Sequence, residues 1–413
     1  MSDRTYLDWP FFDDTHRALQ RDVEAWRDRE WRRAEREEAS PGGACQDYVA
    51  QIGKAGWLKY AVPRAYGGAL ETIDVRSICL IRETLGYVSG LAEFAFAMQG
   101  LGSGPITLFG SETLKKKYLP GVAAGTSIAA FAISEAGAGS DLQAMTTTAA
   151  TDSSDIVVNG EKTWISNAGI AAHYVVFCRW PEGGDRSFIA LVVDAGTPGL
   201  EIGRSIEAIA PHPLGTLTFK NCRVSRDSVV GEPGKGMRVA LGTLDLFRTT
   251  VGAAALGFAR RAFDEAIAHV SRRVQFGRPL AEFQMTEAAI AEMATAIDAA
   301  ALLVYRAAWT RDRGAARITR EAAMAKLVAT ESAQQVIDRA VQLLGARGVV
   351  AGEPVERLYR EIRALRIYEG TSEIQKLVIA GQVFAGSNHL RQGYGGPPKL
   401  QAKAEDPASE KHT

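Results

Sequence analysis

Tyr368-Glu369-Gly370-Thr371-Ser372-Glu373-Ile374-Gln375 sets a carboxylate directly before a glycine, at the mouth of a helical stretch. A carboxylate in a loop entering a helix can project into a cleft and act as a general base. It can equally open a helix: Thr371 or Ser372 caps, and the acids favour the positive end of the dipole. Glu373 suits the capping role, and Glu369, just outside the helix, suits either.

Three other stretches carry chemistry of a different kind. Ser134-Glu135-Ala136-Gly137-Ala138-Gly139-Ser140-Asp141 alternates small residues, so its backbone could approach a phosphate or a polar ring edge; a plain turn reads the same way. No helix is expected after it, so the dinucleotide fingerprint fails. In Lys162-Thr163-Trp164-Ile165-Ser166-Asn167-Ala168, Trp164 could lie against a flat ring with Ser166 donating a hydrogen bond, or could simply fill a core. Arg273-Val274-Gln275-Phe276-Gly277 leads through Pro279 to Phe283-Gln284. An arginine at a helix end beside an aromatic suits a pyrophosphate and an adenine; the alternative is a surface arginine and a cap glycine.

These motifs need elements to hold them. Residues 11 to about 127 pattern as helices, with apolar positions such as Leu19, Val23 and Trp26 inside the charged stretch from Phe12 to Glu38. Ala44 to Ala55 and Ile73 to Tyr87 continue the pattern. From Ser127 to about Gly236 the chain turns to short Val-, Ile-, Thr- and Phe-rich runs, for example Ile156 to Val158, Tyr174 to Cys178, Phe188 to Val193 and Thr216 to Phe219. Turn signals at Asn159-Gly160, Pro181 to Gly184 and Pro198-Gly199 separate them. The absence of crossover-length helices predicts a barrel-like sheet and argues against a Rossmann fold. Helical spacing returns over Thr250 to Val270, Thr286 to Trp309, Arg320 to Leu344 and Arg357 to Glu361.

The expected fold is therefore α+β, in four parts: an N-terminal helical domain over residues 1–126, a middle β domain over 127–236, a C-terminal helical bundle over 237–386, and a Gly-, Pro- and charge-rich tail over 387–413. Such an order leaves clefts at the domain junctions.

Composition removes several classes of function. The chain has 413 residues, 46% of them hydrophobic and 23% charged, as in a folded protein of roughly two to three domains. Lys plus Arg equals Asp plus Glu, 48 each, which offers no field for a nucleic-acid backbone. Cys45, Cys79, Cys178 and Cys222 are far apart and form no C-x-x-C pair, so idle thiols are expected rather than zinc or disulfides. The six histidines lack ligand spacing, and no metal is expected. The opening MSDRTYLDWPFFDD has no basic region followed by an apolar run, which predicts a cytoplasmic protein. The apolar stretch Ala299 to Tyr305 is too short for a bilayer, so no membrane insertion is expected.

Taken together and in this order, the motifs resemble the acyl-CoA dehydrogenase family, from about residue 12 to residue 385. The resemblance implies FAD between a β-barrel and a four-helix bundle, usually in a homotetramer built as a dimer of dimers. Phe131, Ile133, Ser134 and Ser140 match the segment under the flavin and beside the CoA arm. Trp164 and Ser166 match residues at the flavin ring. Arg273, Phe276 and Gln284 match residues that reach a neighbouring subunit's FAD, with Gln342 and Ala346 on its adenosine side. Thr371 and Glu373 resemble the loop that holds the pyrophosphate. Glu369 sits where one branch of the family keeps its base, flanked by Tyr368 and Gly370 at the substrate. Phe247 fills the position that other members use for the base, and Asp245 and Arg248 match residues near the CoA.

The implied reaction is α,β-dehydrogenation of an acyl-CoA, with electrons passing to an electron-transfer flavoprotein. Rival readings are an oxidase on the same scaffold or a non-catalytic acyl-CoA-binding flavoprotein. Three departures stand out: Ala136 for the usual proline, Ala346 for the second of two glycines, and Ala210-Pro211-His212-Pro213-Leu214 in place of a Met-Gly-x-Arg stretch. Phe94 to Gly104 is expected to floor the acyl pocket; with no Lys or Arg in it, a short, branched or alicyclic acyl group is expected.

Overall fold

The computed structural model describes residues 3–386, and the tail expected over 387–413 lies outside the described residues. The N-terminal part is α1 (Asp14–Glu30), α2 (Pro41–Lys54), α3 (Val75–Gly86), α4 (Gly90–Phe109) and α5 (Glu112–Ala124). Short polar side chains start four of them. Asp13, Asp74, Ser89 and Ser111 each accept a backbone N–H of the first turn, which satisfies donors the helix itself leaves open. The charged stretch to Glu38 is only partly helical, since α1 ends at Glu30.

Seven strands form one curled sheet: β1 (Ala129–Ala132), β2 (Thr148–Asp152), β3 (Asp155–Ser166), β4 (His173–Arg179), β5 (Phe188–Asp194), β6 (Leu200–Ile206) and β7 (Leu214–Ser225). Their order is β1-β4-β2-β3-β7-β6, with β5 on β4; β1 and β2 run parallel to β4, and the other pairs are antiparallel. Asn159-Gly160 does not turn the chain. It lies inside β3 at a register shift against β7, where Gly160 has φ 136° and its α-carbon abuts Thr147 too closely for a side chain.

The C-terminal part is α6 (Gly236–Arg272), a hairpin of β8 (Val274–Gln275) and β9 (Arg278–Pro279), then α7 (Gln284–Asp312), α8 (Thr319–Leu344), α9 (Pro354–Leu365) and α10 (Ser372–Gly386). At 37 residues, α6 is about 55 Å long. It packs on α7, α8 and α9 on one side and on α3 and α4 on the other, so it joins the two helical parts.

By length and composition, α6 and α7 could cross a membrane, with mean hydropathy of 1.3 and 1.6 over their most apolar windows. The expectation drawn from Ala299–Tyr305 overlooked that this stretch lies within the 29-residue α7. In α6 the window is 89% buried within the fold, as in a core helix. All four cysteines are free and buried, as expected.

A buried hub ties the first residues to the bundle. Glu83 of α3 accepts from Arg260 Nε of α6 at 2.8 Å, from the Tyr305 hydroxyl of α7 at 2.5 Å and from the Tyr6 hydroxyl at 3.3 Å. Removing one partner of a buried pair strands the other charge, a loss of about 3–5 kcal/mol. Glu83→Ala is expected to lower the urea midpoint of the flavin-loaded protein accordingly. Glu83→Leu combined with Arg260→Met should recover much of that loss. Equal midpoints for Glu83→Ala and the parent would show that the hub contributes little.

Candidate active site

A cavity of about 640 Å³ opens where the sheet, α4 and the C-terminal helices meet. Its sheet side carries Phe131, Ile133 and Ser134, then Ser140, Trp164 and Ser166; its helical side carries Leu244, Asp245, Arg248, Tyr368, Glu369 and Gly370. Residues from three separate motifs thus converge on one space.

Glu369 occupies a turn that is expensive to hold. Its φ is 56° and that of Gly370 is 96°, in the left-handed region that a side chain disfavours. Polar side chains from three helices pin the two carbonyls. Arg248 Nε of α6 donates to Glu369 O at 2.9 Å and Lys326 Nζ of α8 donates to Gly370 O at 2.8 Å. Gln375 Nε2 of α10 donates to both, at 3.1 and 2.9 Å. Thr371 caps α10, accepting from Ile374 N at 3.3 Å, while Glu373 is exposed; neither lines the cavity.

The carboxyl itself is set apart from these bonds. Glu369 faces the cavity, yet its Oε2 is shut in without a hydrogen-bond partner. Burial pushes its pKa above the ordinary 4.5, against the pull of Arg82, Arg248 and Lys326, and Glu93 raises it further. Burial also pulls Lys326 down to about 8, against the field of Glu369. A carboxyl with a raised pKa, facing a cavity with an unpartnered oxygen, suits proton transfer.

On the sheet side, Trp164 has φ 55° and stands 53% exposed at the cavity wall, with its flat ring uncovered. The segment opposite is braced from below. Glu135 accepts from Thr146 N at 2.7 Å, Thr147 N at 3.0 Å and the buried Lys162 Nζ at 2.8 Å, which lower its pKa to about 2. Lys162 also donates to Ile133 O at 3.1 Å. A Cβ at Gly137 or Gly139 would meet open space, so these glycines leave room beside the wall. A braced backbone, an uncovered indole and Ser166 fit a large flat cofactor.

The acyl-CoA dehydrogenase family models match the chain in three consecutive parts: the N-terminal domain over residues 13–126, the middle domain over 130–222 and the C-terminal domain over 234–384. The chain belongs to the acyl-CoA dehydrogenase family. Human mitochondrial short-chain specific acyl-CoA dehydrogenase is 39% identical over 341 residues, 81% of this chain and 82% of its own length. Butyryl-CoA dehydrogenase from Megasphaera elsdenii superposes with a TM-score of 0.83 at 30% identity, covering 90% of this chain and 98% of its own. An acyl-CoA dehydrogenase from Bacillus anthracis, solved with FAD, gives 0.84 at 28% identity over 93% of this chain and 71% of its own. The protein is thus an oxidoreductase acting on acyl-CoA, and its cofactor is FAD.

As an acyl-CoA dehydrogenase, it gathers only part of the anticipated site in one chain. Asp245 accepts from Thr319 Oγ1 at 2.6 Å and lies 3.5 Å from Arg248 Nη1, so both stay at the cavity. Arg273, Phe276, Gln284, Gln342 and Ala346 are exposed and do not line it. Arg273 and Arg347, next to Ala346, both act on His269, which brings those two stretches together on the surface.

The glycines of α4 make room for neighbouring elements. Gly100 and Gly104 admit the Phe247 ring, which a Cβ would meet at 2.6 and 2.8 Å, and Gly102 admits the backbone of Ala129 at 2.7 Å. Sequence reasoning also passed over Lys326, Gln375 and Arg82. Glu93 could have been found, because it is the lone charge between Ser89 and Ser111.

Gly370→Ala tests the turn. A Cβ there would sit 2.7 Å from Gln375 Nε2 at a φ that alanine resists. We expect a stability loss of about 1–3 kcal/mol and a fall in kcat, with the flavin absorbance retained. Unchanged kcat would show that the turn does not position Glu369.

Proposed function

We propose that this protein catalyses the α,β-dehydrogenation of a short acyl-CoA thioester, with Glu369 removing the α proton. The observation that carries the reading is the Glu369 carboxyl, which faces the cavity with a raised pKa and an unpartnered oxygen. Phe247 supports it from the opposite direction, since the alternative base position holds a buried ring. FAD, when bound, accepts the β hydrogen as hydride. The protein's own task is to present Cα to Glu369 and to keep water from the carboxyl. Phe131, Ile133, Ser134, Trp164 and Ser166 would hold the flavin, and Thr371 and Glu373 its pyrophosphate.

Asp245, Arg248, Ser140, Tyr368 and Gly370 would position the CoA thioester. Arg273, Phe276, Gln284, Gln342 and Ala346 would serve a neighbouring subunit's FAD in a homotetramer. Phe276 fits that role, standing 94% exposed at the tip of the β8–β9 hairpin with φ 50°. Such an apolar tip suits burial by another subunit. Electrons would then leave to an electron-transfer flavoprotein.

Glu369→Gln is expected to keep FAD and bind acyl-CoA but to lose about two to four orders of magnitude in flavin reduction. Anaerobic bleaching of the yellow protein by butyryl-CoA reads it directly. In the parent, kcat/KM should rise with pH through a pKa above 4.5, because the base works only when ionised. Near-normal bleaching in the variant would overturn the assignment of Glu369.

A further inference from the structure

One wall of the cavity is polar where an apolar acyl chain would want hydrocarbon. On α4, Glu93, Ala97 and Leu101 line the cavity at intervals of four residues, which places them in one stripe. The stripe is apolar at Leu101 and ends on Glu93, about 12 Å along the helix. There it meets Arg82 of α3. Arg82 Nε donates to Glu93 Oε1, Arg82 Nη1 donates to Thr250 Oγ1 at 2.6 Å, and each charged side chain is 2% exposed. Among the described residues, Arg82 Nη2 and Glu93 Oε2 make no hydrogen bond, and both residues face the cavity.

A third polar group comes from the loop before β7. The ring of His212 lies on that of Phe94 with centroids 4.7 Å apart and lines the same cavity. Its Nε2 is 3.4 Å from Glu361 Oε2. Burial pushes His212 down to about 4 and Glu361 up to about 8, which favours the uncharged form of each. Gly90 makes room for this carboxyl, since a Cβ there would meet it at 2.4 Å. Arg82 and Glu93 cancel, so with His212 and Glu361 in those forms the four groups together carry no net charge while still offering donors and acceptors.

We propose that the acyl group of the physiological substrate carries a neutral hydrogen-bonding group, a hydroxyl or a carboxamide, that is read by Arg82, Glu93 and His212. This rests on the acyl-CoA dehydrogenation reading and narrows its substrate. A hydroxyl can accept from Arg82 Nη2 and donate to Glu93 Oε2. A methyl in the same place would take water from both and return nothing. A carboxylate would meet an arginine already neutralised by Glu93, with Glu369 as a second negative charge close by; Arg82 is the largest of the opposing charges acting on Glu369. An ammonium would face Arg82 directly. The α4 segment alone gave no cation, because the arginine comes from α3.

Binding decides it without turnover. CoA thioethers lack the carbonyl and cannot react. S-(4-hydroxybutyl)-, S-pentyl- and S-(3-carboxypropyl)-CoA, with their next homologues, are titrated calorimetrically into the FAD-loaded protein. The hydroxyalkyl series should bind about tenfold or more tighter than the alkyl series. Arg82→Met combined with Glu93→Gln removes both charges together and should bring the two series within about twofold. If that variant does not fold, His212→Phe should shrink the preference instead. Equal or tighter alkyl binding by the parent, or tightest binding by the carboxyalkyl series, overturns the proposal. Bleaching by butyryl-CoA is scored alongside. If it occurs without a hydroxyl preference, only this inference falls; if no acyl-CoA bleaches the flavin, the dehydrogenation reading falls with it.

Discussion

The left-handed turn at Glu369-Gly370 is the constraint on which the rest of the architecture converges. No local force favours it, so it persists only while Arg248, Lys326 and Gln375 hold its carbonyls. Those three groups lie on α6, α8 and α10. The turn therefore exists only once the bundle has packed. Packing in turn relies on small residues: Ala253, Ala254 and Ala255 are buried on α6, and a Cβ at Gly252 would meet Val304 of α7 at 2.7 Å. Close helix approach is a precondition for the turn.

Electrostatics in the cleft follow from the same geometry. Two of the donors that fix the backbone, Arg248 and Lys326, are also cations, and with Arg82 they act on the carboxyl without bonding its oxygens. Three positive side chains favour the ionised form, yet burial outweighs them and the pKa rises. Had Lys326 or Arg248 bonded the carboxyl directly, it would have become a satisfied ion pair with little basicity. By spending their hydrogen bonds on main-chain carbonyls, they orient Glu369 and leave Oε2 unpaired.

Much of this was legible in the sequence where the signal is local. The loop at Glu369-Gly370, the cap at Thr371, the long helices and the strand runs follow from spacing and residue type. What escaped detection depends on contacts between distant segments. Asn159-Gly160 has the chemistry of a hairpin turn, but pairing with β7 absorbs it as a bulge within β3. Gly100 and Gly104 are filled by Phe247, more than 140 residues later, which no local pattern shows. Arg82 reaches the cavity from a helix whose pattern reads only as core. Arg273, Phe276 and Gln342 have motif signals, but all three are exposed and none lines the cavity.

Helix α4 shows how residues that need not touch substrate can still shape its recognition. One face presents Glu93, Ala97 and Leu101 to the cavity; Gly100 and Gly104 lie along the line of Glu93 and admit the Phe247 ring, while Gly102, on the opposite face, admits β1. Successive residues are about 100° apart around a helix, so a slip of one position would carry Glu93 away from Arg82. The close contacts at the glycines prevent that slip, because any Cβ there would collide with a ring or a backbone. The rotational setting of α4 is thus fixed from two directions, by Phe247 and by Ala129 of β1. The shape and polarity of this cavity wall follow from that setting, and a change at Phe247 or Ala129 would alter the wall through α4 as surely as a change at Glu93 itself.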